Sequence, residues 1–167
     1  IAGGAESLSN SPQSTKRRVP GTESGSWMSP SHPETPDAPA WDMSITVGNN
    51  CAVENGLTRR DLDEWAAYTH ERAIESIDGG YFVDQIVPVD VAHVDGSVTR
   101  FEVDEHPRRG TTVESLGELA PLHPEIDGFV ITAGNSAGLN DAAAAVMVAS
   151  SDYTAANGIA PLARIVS

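Results

Sequence analysis

The chain has 167 residues and a formal net charge of −14, from 24 acidic against 10 basic residues, a length that accommodates one hydrophobic core. An acidic balance of this size opposes nonspecific binding to nucleic-acid phosphates or anionic lipid, and no uninterrupted apolar stretch approaches the roughly 18–20 residues of a membrane span. The single cysteine, Cys51, excludes an internal disulfide framework and a multi-cysteine zinc site, and fits a reducing cytoplasm.

The first residues, Ile1-Ala2-Gly3-Gly4, read as the end of a buried strand entering a turn, with no signal-peptide pattern, so the chain is expected to be a piece of a longer protein. Between Pro12 and Pro39 lie six of the eleven prolines, interleaved with Ser, Thr and Gly around Lys16-Arg17-Arg18. That composition disfavours regular structure. Disordered segments are poor in aromatics, so Trp27 and Trp41, with Met28, favour an ordered excursion over 11–41 with apolar anchors.

Thr58 followed by Asp61 forms a capping signal, and Leu62, Trp65, Ala66, Thr69, Ala73 and Ile77 then recur at helical spacing. The spacing predicts a helix over 59–77, ended by Gly79-Gly80, with that stripe on the core and Asp61, Asp63, Glu64, Glu71 and Glu75 off it. Residues 85–92 and 98–103 alternate as strands, joined by the hairpin signal Asp95-Gly96, with Pro88 confining its strand to an edge. A short helix is expected within 111–119, capped by Thr112 with Ser115 inside it. Residues 142–149 fit helix by alanine content and buried strand by Val146 and Val148; Ser151-Asp152 then caps a short helix, and 162–166 reads as a final strand. Strand, helix, strand in that order implies an α/β layer.

The most specific stretch is Thr132-Ala133-Gly134-Asn135-Ser136-Ala137-Gly138-Leu139-Asn140-Asp141-Ala142-Ala143. Glycines permit close backbone approach, and Asn and Asp bond their own backbone at turns, so it suits a ligand site built from main chain. It resembles the Thr-Ala-Gly-Asn-x-Ser-Gly-x-Asn-Asp-Gly-Ala-Ala segment of thiolases, which make or cleave 3-ketoacyl thioesters of coenzyme A. Four further motifs follow that family's order: the Ala-Gly-Gly turn at 2–9, Asp42-Met43-Ser44-Ile45-Thr46, the helix beginning Thr58-Arg59-Arg60-Asp61-Leu62-Asp63, and Asp104-Glu105-His106-Pro107-Arg108 through Thr111; Pro161-Leu162-Ala163-Arg164-Ile165 is similar to the strand ending the family's first half.

The resemblance implies an α/β fold, part of a thiolase-type α/β/α layered architecture with an inserted loop domain. It divides the chain into a core strand and turn at 1–10, a loop domain at 11–131 (excursion 11–41, helix 59–77, hairpin 85–103) and a return to the first-half core at 132–167, with the family's second half absent. It implies that Met43 lines the pantetheine tunnel, that Arg108 and Ser115 lie by the nucleotide end of coenzyme A, and that Ala133, Ala137, Gly138 and Leu139 lie along the pantetheine arm. Arginine suits phosphate and adenine because its planar fork of donors pairs with one and stacks on the other; read alone, Arg108 is favoured as a counter-charge in an acidic chain, and Met43 is equally a core residue. Ala137 departs from the family, which commonly has Ser there; a neutral hydrogen bond of roughly 0.5–1.5 kcal/mol is lost.

No residue of this chain is assigned a catalytic or metal-binding role. Cys51 lacks a matched histidine and reads as a small, semi-buried hydrophobe, and His32, His70, His93, His106 and His123 show no metal spacing. The implied function is acyl transfer through an acyl-cysteine in the intact protein, in fatty-acid and lipid metabolism, with acyl-CoA as substrate, no further cofactor, a homo-oligomeric state and a cytoplasmic location. The alternative is a thiolase-like protein that binds acyl-CoA or lipid without turnover; a third reading is an interaction surface for a partner subunit.

Overall fold

The computed structural model describes residues 1–8, 14–15, 26–27, 35, 38–39 and 42–166. In chain order the elements are strands β1 (Ala2–Ser7), β2 (Ser14–Thr15) and β3 (Ser26–Trp27), a π-helical stretch Ser44–Asn49 running into helix α1 (Asn50–Glu54), helix α2 (Arg59–Asp78), strands β4 (Val89–Ala92) and β5 (Val98–Phe101), helix α3 (Val113–Gly117), strand β6 (Asp141–Val146) and helix α4 (Ser151–Ala156). They fall into two compact units, Ile1–Pro12 with Leu139–Ser167, and Gln13–Gly138.

In the first unit β1 pairs antiparallel with β6, from Ala2 opposite Val146 to Ser7 opposite Asp141. Residue 3 must be glycine for this approach, because a Cβ there would stand 2.7 Å from the Ala144 carbonyl oxygen. The pairing makes the alanine run a strand against its helix propensity, since a ladder partner outweighs local preference. The first residues are exposed strand continuing through Ser7, where the sequence predicted a buried strand end and a turn. Ser150 accepts the Tyr153 N–H and starts α4. Residues 162–166 do not form the predicted strand: no described segment offers them a ladder, and Leu162, Ile165 and Val166 are exposed.

The second unit holds the buried core described, Ala52, Leu116, Phe129 and Ile131, with the buried polar residues Asn49, Asp63 and Thr132. The π-helical stretch packs Gly48 on Ile131, and the Asn49 side chain accepts the Val130 N–H at 3.1 Å. Cys51 is exposed, not semi-buried as the sequence predicted, because Asn49 and Ala52 are the inward positions of that turn. Helix α2 carries the expected capping box: Thr58 Oγ1 accepts the Asp61 N–H and Asp61 accepts the Thr58 N–H at 2.7 Å. At its other end Gly80, at φ +73°, turns the chain out of the helix.

Two expectations for α2 are corrected. Asp63, placed on the solvent side by its charge, is 1% exposed, while Trp65, placed on the core, is 66% exposed. The reason is a partner the helical pattern cannot show: Arg59 and Asn135 satisfy the Asp63 carboxylate inside. The hairpin is shorter than 85–103, running from Val89 to Phe101, because Pro88 has no N–H to extend the ladder. Asp95 Oδ1 accepts the Ser97 N–H at 2.9 Å in its turn, with Gly96 at φ +84°. The second unit ends at Gly138, and the side chains of Asn135 and Ser136 bond within it. The proposed anchors Trp27, Met28 and Trp41, and Lys16-Arg17-Arg18, lie outside the described residues or side chains.

Candidate functional site

Helix α2 separates two grooves of the second unit. On one flank a groove of about 730 Å³ runs between the helix, through Glu64, Tyr68, Glu71 and Ile74, and the segment from Arg108 to Glu114. The opposite flank, through Leu62, Trp65, Ala66 and Ala73, faces His106, Pro107 and 134–137 across about 390 Å³. The apolar stripe read from the sequence therefore lines an open groove instead of a sealed core.

His70 borders both grooves. Its Nδ1 accepts the Arg108 backbone N–H at 3.2 Å, and its ring stacks on His106 with centroids 6.0 Å apart. An accepting Nδ1 is an unprotonated nitrogen, so the Arg108 loop is held by neutral imidazole. Burial pushes the His70 pKa down, and the charges of His106 and Arg108 push the same way. Next along the loop, Arg109 grips Asp78 with both terminal nitrogens, at 2.8 and 2.6 Å, and so ties it to the end of α2.

Ser115 completes the α3 cap. Its N–H donates to Thr112 Oγ1 at 3.1 Å and its hydroxyl oxygen accepts the Thr112 N–H at 3.1 Å. It follows Glu114 in the chain and does not itself line the larger groove. Arg108 lines that groove, while Ala137 lines the smaller one on the other flank. Met43, 62% exposed, leads into the π-helical stretch and borders neither groove; the same holds for Ala133 and Gly138. Leu139 belongs to the first unit and is 82% exposed.

The turn at 132–137 is built from its own polar groups. Thr132 Oγ1 accepts the N–H groups of Gly134 and Asn135 at 3.2 and 3.3 Å, and the Ser136 hydroxyl donates to the Thr132 carbonyl at 2.7 Å. Gly134 presses on α3 so closely that a Cβ would meet Leu119 and Leu116.

A second polar cluster precedes Met43. The His123 ring lies between Glu125, 2.9 Å from Nδ1, and Asp42, 2.8 Å from Nε2, with its edge contact to Phe129. Glu125 first, and Asp42 after it, hold the His123 pKa above its ordinary value. Asp42 is held below the usual carboxylate range by the Ser44 hydroxyl, which donates to it at 2.6 Å, with His123 adding to this. Neither this cluster nor His70 with His106 was singled out as a site in the sequence, because their members meet across 81 and 36–38 positions of chain.

The Cys51 thiol contacts the Asn55 amide at 3.6 Å, and among the described residues no histidine or carboxylate bonds it. Among them, too, no group of three His, Cys, Asp or Glu side chains could hold a metal ion, and no helix is long and apolar enough to cross a membrane.

The family described as "Thiolase, N-terminal domain" matches residues 1–152. The chain belongs to the thiolase family. It is 41% identical to an acetyl-CoA acetyltransferase of Pseudomonas aeruginosa, aligned over all of this chain and 43% of that protein. With the mitochondrial 3-ketoacyl-CoA thiolase of Bos taurus it shares 37% identity, over 99% of this chain and 42% of the relative. The crystal structure of human mitochondrial 3-ketoacyl-CoA thiolase in complex with CoA superposes with a TM-score of 0.71 at 28% identity, over 96% of this chain and 40% of that one. This thiolase chain thus has the α/β thiolase-type fold and spans less than half the length of these relatives.

Proposed function

We propose that the intact protein is a thiolase that condenses acetyl-CoA or thiolyses 3-ketoacyl-CoA through an acyl-cysteine, and that this chain supplies coenzyme A-binding elements. The observation that carries the reading is the groove along α2 walled by Arg108, in a chain whose relatives are named for acetyl-CoA and 3-ketoacyl-CoA chemistry. Arg108 there would pair with phosphate or stack on adenine, and His70 would set its backbone position. Ser115, the residue after the groove-lining Glu114, would stand at the nucleotide side, and Met43, Ala133, Ala137, Gly138 and Leu139 along the pantetheine arm. The nucleophilic cysteine, its activating histidine and the second acid/base cysteine are assigned to the part of the relatives that this chain does not cover. A single, exposed cysteine fits a reducing cytoplasm, and a homo-oligomer is the state proposed for the intact protein.

The test is steady-state thiolysis of acetoacetyl-CoA and direct CoA titration of the intact protein, with Arg108→Ala beside it. Loss of charge-assisted contacts to phosphate should weaken CoA binding roughly ten- to a hundredfold. Turnover by the 167-residue chain alone would overturn the division of labour, and CoA binding without turnover by the intact protein would favour a binding protein over an enzyme.

A further inference from the structure

Asp63 is the only charged residue among the described ones that is fully buried, and coenzyme A chemistry gives it no part. Both of its oxygens are used. Oδ2 accepts Arg59 Nε at 2.7 Å, and Oδ1 accepts the Asn135 amide at 3.0 Å. That amide nitrogen also donates to the Val130 carbonyl at 3.0 Å, while Asn135 Oδ1 accepts the Thr132 N–H at 2.8 Å. The guanidinium of Arg59 continues outward to the carbonyls of Leu116 and Leu119 at the end of α3. One carboxylate therefore joins three segments: the first turns of α2, the end of α3 and the turn at 132–137.

A buried ion pair is a poor source of stability, since matched apolar side chains fill such a space as well. What apolar packing cannot supply is direction. Asn135 has three directed bonds, and they fix where the backbone leaves the turn toward Ala137 and Gly138. The Thr132 and Ser136 side-chain bonds are internal to the turn, and the bridge between Pro121 and Thr132 holds its first residue, so the link from the turn to α2 itself is made by Asn135.

We infer that Asp63 is a positioning residue for coenzyme A: acting through Asn135 and Arg59 and touching no substrate, it sets the wall on which the pantetheine arm lies. This rests on the proposal that 133–138 forms that wall.

In the intact protein, Asp63→Asn keeps the volume and removes the charge that aligns Arg59 and Asn135. The expected result is a KM for CoA in thiolysis raised about tenfold with kcat within about twofold, and CoA affinity by titration falling by the same factor. The Arg59→Met/Asp63→Leu pair separates direction from packing: it should restore the melting temperature while CoA binding stays weak. Unchanged KM and affinity in a folded Asp63→Asn protein overturn the inference, as does wild-type affinity in the apolar pair. Should Asp63→Asn not fold, the apolar pair decides by the same measurement. Failure of the wild-type protein to bind CoA overturns the wall reading itself, and with it this inference, and is recognised before any variant is made.

Discussion

Replacing Gly134 with alanine tests how the candidate wall is packed. The added Cβ would lie 2.5 Å from Leu119 Cδ1 and 2.6 Å from Leu116 Cδ2, closer than carbon atoms approach. Leu119 is 39% exposed and can swing outward, whereas Leu116, at 5%, is enclosed and must push its neighbours. Overpacking of this kind costs about 1–3 kcal/mol. Gly134 is not in the left-handed region, so alanine fits its backbone and recovers about 0.4–1 kcal/mol by restricting the unfolded chain. The net expectation is a loss of about 1–2 kcal/mol, equivalent to roughly 3–10 °C in melting temperature for a unit of this size. Thermal and urea unfolding of Gly134→Ala, Leu119→Ala and the double variant measure it. With Leu119 truncated one of the two clashes disappears, so the cost of Gly134→Ala should fall by about half. A Gly134→Ala protein as stable as its parent, or a cost indifferent to Leu119→Ala, would refute the packing.

The two histidine clusters titrate with opposite sign. The His123 pKa is raised above its ordinary 6.5, so its stabilisation is complete below that value and is lost as pH rises through the folded pKa. Unfolding free energy should decline above about pH 6.5, and His123→Gln should abolish that decline. His70, lowered by burial first, contributes above 6.5 and loses that contribution as pH falls through its folded pKa. Acidification below about pH 6.5 should therefore weaken CoA binding in titrations of the intact protein, and His70→Gln should flatten that dependence. Met43→Ala removes an exposed side chain, so melting should move by less than about 0.5 kcal/mol. On the wall reading CoA affinity should nonetheless drop, and equal affinity would remove Met43 from the site. Thr112→Ala should cost about 1 kcal/mol in urea unfolding through loss of the α3 cap.

Helix α2 was legible because its signals are local: a capping box at Thr58 and Asp61, a 3.6-residue stripe, and glycines at the end. The hairpin turn and the Thr112 cap were legible for the same reason. Asp63 was not. Its burial depends on Asn135, 72 positions away, and charge alone argues for solvent. Residues 162–166 show the converse failure, since strand-like composition makes no strand without a ladder. Of the residues that the motif resemblance singles out, Arg108 and Ala137 line the two grooves, whereas His70, which holds the Arg108 backbone, offers in the sequence only a position at the edge of a helical stripe.

The β1–β6 ribbon has a practical bearing on all of these measurements. Five of the six β1 residues and every β6 residue are exposed, both outer edges lack a described ladder partner, and a two-stranded ribbon of that kind has almost no apolar burial of its own to lose. Heating or urea applied to this chain would thus register the melting of Gln13–Gly138, while fraying of the ribbon passes with little heat, and the ribbon's own unit has no tryptophan in its sequence to report it.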